Sequence, residues 1–319
     1  MDLKALAFLL TDRCNASCGM CCFSCSPKNR ALLDVSMVKD YIRQAAEMGT
    51  VKSVSFSGGE AILYYDQLRE CVAFAKSYGL KSTLVSNGFW GADMEKGRAM
   101  LGGLVEDGLT DLSLSVDQFH QEFVPIEAVM NAMALAEEFH VLSAITLMDL
   151  KDGLSAARSM EALRPLVYGK NLIVYPAFPA GAAVKNIPED QFIKVCAPET
   201  ARCPFDHCFT VLFDGSIMMC CSQFSREIPP ARLGRFGETS LEEAIANFND
   251  NPFIYVLLSE GFGFYVDLAR LLGFPVEDRY SVSCHLCHHL LGNPAFLEAA
   301  RPAVLAETDR LRLMKLLSR

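Results

Sequence analysis

The sequence predicts an α/β protein: a partial (β/α)6 barrel of the TIM type with a small C-terminal unit built around cysteines. Three observations carry this reading. β-rich runs alternate with amphipathic helical stretches as far as Tyr175, the rhythm breaks at the Pro/Gly-rich stretch Pro176–Gly181, and the segment beyond is dense in cysteine. Strands are expected at Ala5–Leu10, Val51–Phe56, Lys81–Val85, Asp111–Val116, Leu142–Leu147 and Leu172–Tyr175. Helices are expected at Ser36–Met48, Tyr64–Tyr78, Met94–Glu106, Ile126–Phe139 and Leu154–Leu163, where apolar residues recur at three- and four-residue spacing. Six strands leave open a barrel that eight would close. A boundary near residue 180 divides the barrel (1–180) from a second unit (181–319). There, Phe209–Phe213 and Ile217–Cys221 flank the turn residues Asp214 and Gly215 as a β-hairpin, and Ser240 caps a helix running through Phe248. Apolar stretches to Leu272 and from Ala295 to Leu317 also read as helices.

Of the 319 residues 51% are hydrophobic, enough for a sizeable core. A net charge of -9 with no long Lys/Arg run argues against a nucleic-acid partner, because phosphate binding needs a basic face. No stretch reaches the roughly 18 uninterrupted apolar residues of a membrane span, and the first residues lack a signal-peptide pattern. The expectation is a cytoplasmic protein with no membrane contact.

Thirteen cysteines are too many for ordinary packing and too clustered for chance. Five lie between Cys14 and Cys25, five between Cys196 and Cys221, and two at Cys284 and Cys287; Cys71 alone reads as a core thiol. Cys14, Cys18 and Cys21 form C-x3-C-x2-C in the loop after the first strand, at the barrel end where active sites gather. Three thiolates on an iron–sulfur cubane leave one iron without a protein ligand, open to a small molecule. The alternative is a zinc site completed by Cys22 or Cys25. Further signals close the next strands: Ser57-Gly58-Gly59-Glu60, then Ser86-Asn87-Gly88, then Ser115-Val116-Asp117.

Taken together, these motifs resemble the radical S-adenosylmethionine (SAM) superfamily. The resemblance implies a [4Fe-4S] cluster on Cys14, Cys18 and Cys21 whose open iron chelates the methionine end of SAM, releasing a 5′-deoxyadenosyl radical on one-electron reduction. It implies that Gly58, Gly59 and Glu60 hold the SAM ammonium group, and that Ser86, Asn87, Ser115 and Asp117 contact its carboxylate and ribose. Met20 departs from the aromatic residue the family often has before the third cysteine.

Cys203, eleven residues, Gly215, four residues and Cys220 resemble the opening of the SPASM/Twitch extensions, and Cys284-His285-Leu286-Cys287 supplies a further pair. This implies a second, auxiliary [4Fe-4S] cluster on Cys203, Cys220, Cys284 and Cys287, with a zinc ribbon as the alternative. Cys220 and Cys221 are neighbours on an expected strand, where successive side chains point to opposite faces. If Cys220 faces the cluster, Cys221 faces the barrel mouth as a hydrogen-atom donor. The alternatives are a buried, inert Cys221 or an exchange of the two roles.

Nearly the whole chain resembles the YydG-type epipeptide epimerases, which turn L-residues of a ribosomally made peptide into D-residues. The likeness rests on Cys14-Asn15-Ala16-Ser17-Cys18 leading to Cys21-Cys22-Phe23-Ser24, on Ser86-Asn87-Gly88-Phe89-Trp90-Gly91, on Gly181-Ala182-Ala183, and on Cys203-Pro204 with the Cys220-Cys221 pair. It implies a ribosomally synthesised precursor peptide as substrate, an electron donor such as flavodoxin or ferredoxin, and Cys221 as donor of the returned hydrogen. The family's functional aspartate falls on Asp206 or, counted back from the hairpin, on Cys208. A thioether or carbon–carbon crosslinking maturase is the rival reaction, and a non-enzymatic iron–sulfur or zinc protein the rival class. About three residues precede the first strand, so peptide recognition is expected at the barrel mouth, on the C-terminal helices or through another protein. His120 reads as solvated or structural, and His285, His288 and His289 as neighbours of the second ligand set. Cys22, Cys25 and Cys196 carry no assigned role.

Overall fold

Strand β1 (Ala5–Thr11) is buried along all but its first residue, as a strand in the middle of a covered parallel sheet must be. The computed structural model describes residues 1–152, 154–167 and 171–317. Around β1 the chain repeats a strand–helix unit: α1 (Val35–Glu47), β2 (Ser53–Gly58), α2 (Tyr65–Ser77), β3 (Lys81–Ser86), α3 (Met94–Asp107), β4 (Leu109–Ser115) and the short α4 (Gln118–Gln121). Then come α5 (Ile126–Glu138), β5 (Leu142–Asp149), α6 (Leu154–Val167), β6 (Leu172–Pro176) and the one-turn α7 (Ala183–Asn186). Each expected strand and helix of the barrel is present, with ends displaced by a few residues. Caps explain the helix starts: Asp34 accepts from the N–H of Ser36 and Met37, and Asp93 from those of Glu95 and Lys96.

The strands are hydrogen-bonded in the order β6-β5-β4-β3-β2-β1 and continue into β7 (Cys208–Val211), β8 (Ser216–Met218) and β9 (Arg232–Arg235). β7 runs parallel to β1, pairing Ala5 with Cys208 and Phe8 with Val211. β8 and β9 follow antiparallel. The sheet is unclosed, an open barrel wall extended by the hairpin. The hairpin is shorter than expected: β8 ends at Met218, because the Met219 N–H leaves the ladder for the Ala231 carbonyl at 2.8 Å. Cys220 and Cys221 therefore lie beyond the strand, and strict alternation of strand faces does not govern where they point. β9, Arg-Leu-Gly-Arg, is a strand the sequence reading missed.

After β9 come α8 (Leu241–Asp250), α9 (Pro252–Glu260), α10 (Phe262–Leu271), α11 (Ser283–Leu291) and α12 (Pro294–Leu317). Ser240 caps α8 as expected, in a reciprocal box with Glu243. Among the described residues no single helix is long and apolar enough to cross a membrane. Phe8 stacks on Phe56 in the main core, while Cys14, Cys18 and Cys25 belong to a smaller apolar cluster with Phe119 and Phe192 at the strand ends.

Candidate active site

The loop after β1 is folded on itself before any ligand is considered. Cys14 donates its N–H to Ser26 O at 3.1 Å, Cys21 to Cys18 O at 3.0 Å and Ser24 to Cys21 O at 3.1 Å. Cys14 and Cys18 are buried and Cys21 half-buried. Burial pushes the Cys14 thiol up to about 11 and raises Cys18 as well. Cys21 moves the other way: a hydrogen bond from the Cys25 thiol outweighs its burial, and the Cys25 N–H adds a second at 3.3 Å to its Sγ. Cys25 was expected only as an alternative zinc ligand, and its contact with Cys21 depends on the turn at Ser24, which has φ 52°.

The Gly58-Gly59-Glu60 turn is built against this loop. Gly59 donates to Thr11 O at 2.7 Å and Glu60 to Arg13 O at 2.9 Å. A Cβ on Gly59 would lie 2.2 Å from Arg13 O, and one on Gly58, at φ +141°, 2.4 Å from Thr11 O. Only glycine permits that approach. Glu60 is 1% exposed. Its Oε2 accepts from Ser86 Oγ at 3.1 Å and from the Asn87 N–H at 2.9 Å, and its Oε1 from the Ile62 N–H at 3.3 Å. Burial nevertheless raises its pKa to about 7, against the pull of those bonds. A buried carboxylate in this state is matched to an incoming cation such as an ammonium group.

Ser86 is held in turn by the Trp90 indole N–H at 3.1 Å. Asn87 Nδ2 donates to Asn15 Oδ1 at 2.9 Å and points at Cys14 Sγ at 3.9 Å, which joins the third strand end to the cysteine loop. Asp117 is buried and committed to protein bonds. Its Oδ1 accepts from the N–H groups of Phe119 and His120 and from His120 Nδ1, and its Oδ2 from the Met148 N–H at 3.3 Å. It caps α4 and fixes His120, a half-buried residue. Burial opposes protonation of His120, but Asp117 prevails and its pKa rises. Ser115 is half-buried at the end of β4, where it pairs with Thr146.

A second set of thiols comes together around the hairpin and α11. Cys203 precedes β7, Cys220 follows β8, and Cys284 and Cys287 sit three apart on α11, hence on one face of that helix. All four line one small cavity with Met219 and Ile254. Burial raises every one of these thiols, Cys203 to about 11, and negative charge on Cys203, Cys220 or Cys284 raises Cys287 further. Among the described residues no three ligand-type side chains converge on one point as around a single metal ion. A cubane takes one thiolate at each of its irons, so its ligands surround a cavity instead of meeting at a point. The second cysteine set fits such a group by chemistry and placement, and the first, three thiols on one folded loop, by its donor chemistry.

Cys221 stands apart from the cavity lining and is exposed. Although the residue reaches solvent, the protein packed around its thiol desolvates it, and that together with the charge of Asp206 raises its pKa. Asp206 is exposed, whereas Cys208 is buried in β7, raised to about 12 by burial and then by Asp206. The fold thus gathers Asp206, Cys208 and Cys221 near the second cysteine set. Gly181, at φ +57°, lies so close to the cysteine loop that a Cβ would fall 2.2 Å from Cys22 O, and Ala182 donates to Cys21 O at 2.9 Å. The segment expected to open the second unit therefore clamps the first ligand loop.

Residues 8–148, the stretch from β1 to β5 that carries the first cysteine set, match the profile of the Radical SAM superfamily. This stretch is a radical SAM domain. The match supports SAM and an iron–sulfur cluster as the groups this site serves. Over 297 residues it is 26% identical to the putative peptide biosynthesis protein YydG of Bacillus subtilis (strain 168), covering 91% of this chain and 92% of that protein. It is also 38% identical over 108 residues to the PqqA peptide cyclase of Xanthomonas campestris pv. campestris (strain 8004), 34% of this chain but 27% of the cyclase. The radical SAM fold is shared with solved structures. One is anSMEcpe with bound AdoMet and Cp18Cys peptide, with a TM-score of 0.58, 14% identity, and coverage of 97% of this chain and 100% of that one. Another is BtrN in complex with AdoMet and 2-DOIA, with a TM-score of 0.53, 15% identity, and coverage of 82% and 89%.

Proposed function

We propose that this radical SAM enzyme epimerises L-residues to D-residues in a ribosomally synthesised precursor peptide, with Cys221 as the hydrogen-atom donor. Cys14, Cys18 and Cys21 would hold the cluster, which with SAM bound would supply the 5′-deoxyadenosyl radical needed to take the Cα hydrogen of the target residue. Glu60, held by Ser86 and Asn87, offers its buried carboxylate to the SAM ammonium group, and the close backing of Gly58 and Gly59 fixes that carboxylate relative to the cysteine loop. Ser115 and Asp117 border the same strand ends as candidate contacts to SAM. Cys203, Cys220, Cys284 and Cys287 would hold the auxiliary [4Fe-4S] cluster of a Twitch-like unit spanning 181–319.

The observation that carries this reading is the division of labour among neighbouring thiols: Cys220 lines the cavity with three partners, while Cys221 beside it is exposed and unused. Cys221 Sγ holds a hydrogen atom. Delivered to the face opposite the abstraction, that atom inverts the carbon. The thiyl left behind regains its thiol by taking up one electron, from a carrier such as a flavodoxin or ferredoxin, and one proton. Asp206, exposed near Cys221, and Cys208, buried behind it, are the candidates for handling that proton. The similarity to YydG over most of both chains supports a peptide substrate.

The PqqA peptide cyclase similarity favours a second reading, a peptide crosslink. Mass separates the two. Anaerobic turnover of a candidate precursor in ordinary water, followed by mass spectrometry and chiral amino-acid analysis, is expected to give D-residues at unchanged peptide mass. A product lighter by a pair of hydrogens, with no D-residue, would overturn epimerisation.

A further inference from the structure

The loop after β1 carries more thiols than the first cluster uses, and Cys25 is one of those left over once Cys14, Cys18 and Cys21 are assigned. Its placement is more specific than packing requires. Cys25 is 4% exposed, in the small apolar cluster that also holds Cys14 and Cys18. Its N–H donates to Cys21 Sγ at 3.3 Å, and its thiol donates to the same sulfur. The chain on either side is tied down. Ser24, at φ 52°, donates its N–H to Cys21 O at 3.1 Å, and its carbonyl accepts from Asn29 Nδ2 at 3.3 Å. The Ser26 carbonyl accepts from the Cys14 N–H at 3.1 Å, and the Ser26 N–H donates to Asp12 O at 3.4 Å. The backbone of Cys25 is thus pinned between two residues bonded to the ligand loop, and the left-handed turn at Ser24 brings it back onto Cys21.

Reduction adds one negative charge to an iron–sulfur cluster, and hydrogen bonds to its sulfurs are among the levers that set its potential. Donors aimed at a ligand sulfur stabilise the reduced form more than the oxidised one, so they raise the potential. A thiol set against the sulfur of one ligand is not placed as a further ligand, because a cubane takes its thiolates one at each iron. We propose that Cys25 is a positioning residue for the first cluster: by giving its N–H and its thiol to Cys21 Sγ, it raises the reduction potential of the centre held by Cys14, Cys18 and Cys21. The electron comes from the one-electron carrier of the proposed function. The carrier is oxidised, the cluster is reduced, and the thiol proton stays on Cys25. It stays because Cys21 gives up its own proton to serve as a ligand, while the bond to Cys21 and then burial oppose ionisation of Cys25. The inference rests on the iron–sulfur reading of the first cysteine set, and not on epimerisation.

The test reads a potential, not turnover. Reconstituted full-length enzyme without SAM or peptide is titrated anaerobically against redox mediators, and the clusters are followed by EPR. The first cluster is recognised as the one whose signal changes when SAM is added to a parallel sample. Cys25→Ala removes the thiol donor and keeps the backbone one. It is expected to lower the reduced-to-oxidised ratio of the first cluster at a fixed potential by about threefold to tenfold, or roughly 30–60 mV at about 59 mV per tenfold. Cys25→Ser, which restores a donor on the same Cβ, is expected to recover most of that shift, and both variants are expected to keep the iron content of wild type. Wild type exchanged into deuterated buffer is expected to show an exchangeable proton coupled to the reduced first cluster by electron–nuclear double resonance. An unchanged potential in Cys25→Ala overturns the proposal, and so does an equal shift in the alanine and serine variants. Loss of first-cluster iron from folded Cys25→Ala makes Cys25 a ligand and overturns it too. If the alanine variant does not fold, the wild-type spectrum carries the test, and the absence of an exchangeable coupling overturns the proposal. A preparation with no SAM-responsive signal sinks the cluster reading itself, and none of these outcomes depends on whether D-residues form.

Discussion

Replacing Gly59 by Ala tests how the SAM-facing turn is fixed to the cysteine loop. The added Cβ would sit 2.2 Å from Arg13 O and 2.6 Å from Arg13 C, backbone atoms that cannot swing aside. That is more than roughly 1 Å short of ordinary contact between heavy atoms. Relief requires the two loops to part, which stretches the Gly59 N–H bond to Thr11 O and the Glu60 N–H bond to Arg13 O, now 2.7 and 2.9 Å. Overpacking of this kind costs about 1–3 kcal/mol, and each weakened backbone bond adds up to about 1 kcal/mol. The expected loss is about 2–4 kcal/mol, read from anaerobic urea denaturation of the metal-free protein. Because Arg13 precedes Cys14, SAM affinity of the reconstituted variant is expected to fall by at least about tenfold, an effect of at least about 1.4 kcal/mol. Gly49→Ala is the control: Gly49 also has a positive φ, +69°, but nothing lies within 4 Å of its added Cβ. It is expected to cost about 1 kcal/mol of backbone strain and to leave SAM binding alone. If Gly59→Ala costs no more than Gly49→Ala and binds SAM normally, the close approach of the two loops does not hold the site.

Glu60 gives a pH prediction whose sign follows from its raised pKa. A carboxyl raised from 4.5 to about 7 by burial contributes stability that is fully present below its unfolded pKa and is lost as pH rises through about 7. Ligand-free wild type is therefore expected to lose up to about 3 kcal/mol relative to Glu60→Gln between pH 5 and pH 8. A pH-independent difference in denaturation midpoint contradicts it, and the Gln variant is also expected to bind SAM more weakly. For the auxiliary cluster, replacing Cys287 by Ser is expected to lower reconstituted iron from about eight to about four per chain, while Cys221→Ala leaves it unchanged, by iron and sulfide analysis. Loss of iron in Cys221→Ala would mean that Cys220 and Cys221 have exchanged roles.

The barrel was legible because β-rich runs and helical periodicity alternate cleanly from Ala5 to Tyr175, and because Ser240 and Glu243 spell a capping box. The end of the hairpin was not. Met218, Met219, Cys220 and Cys221 continue an apolar run past the point where Met219 turns to Ala231, and no local property of the run marks that turn. β9 was hidden because Arg-Leu-Gly-Arg has neither β-branched residues nor a two-sided pattern; its pairing with β8 makes it a strand. Cys284-His285-Leu286-Cys287 suits a metal knuckle and a helix equally well, since a spacing of three puts both thiols on one helical face. At the first site the motifs fall at neighbouring strand ends, yet the commitment of both Asp117 oxygens to α4, His120 and Met148 depends on tertiary contacts. The hold of Cys25 on Cys21 is likewise a product of one turn.

The account turns on an exposed thiol returning a hydrogen atom to the peptide. It is tested most directly by anaerobic turnover in deuterated water with SAM, a reductant and the precursor, comparing wild type with Cys221→Ala. Wild type is expected to give D-residues each carrying one deuterium, and Cys221→Ala to release 5′-deoxyadenosine without forming D-residues. D-residues labelled from solvent in the Cys221→Ala reaction would contradict it.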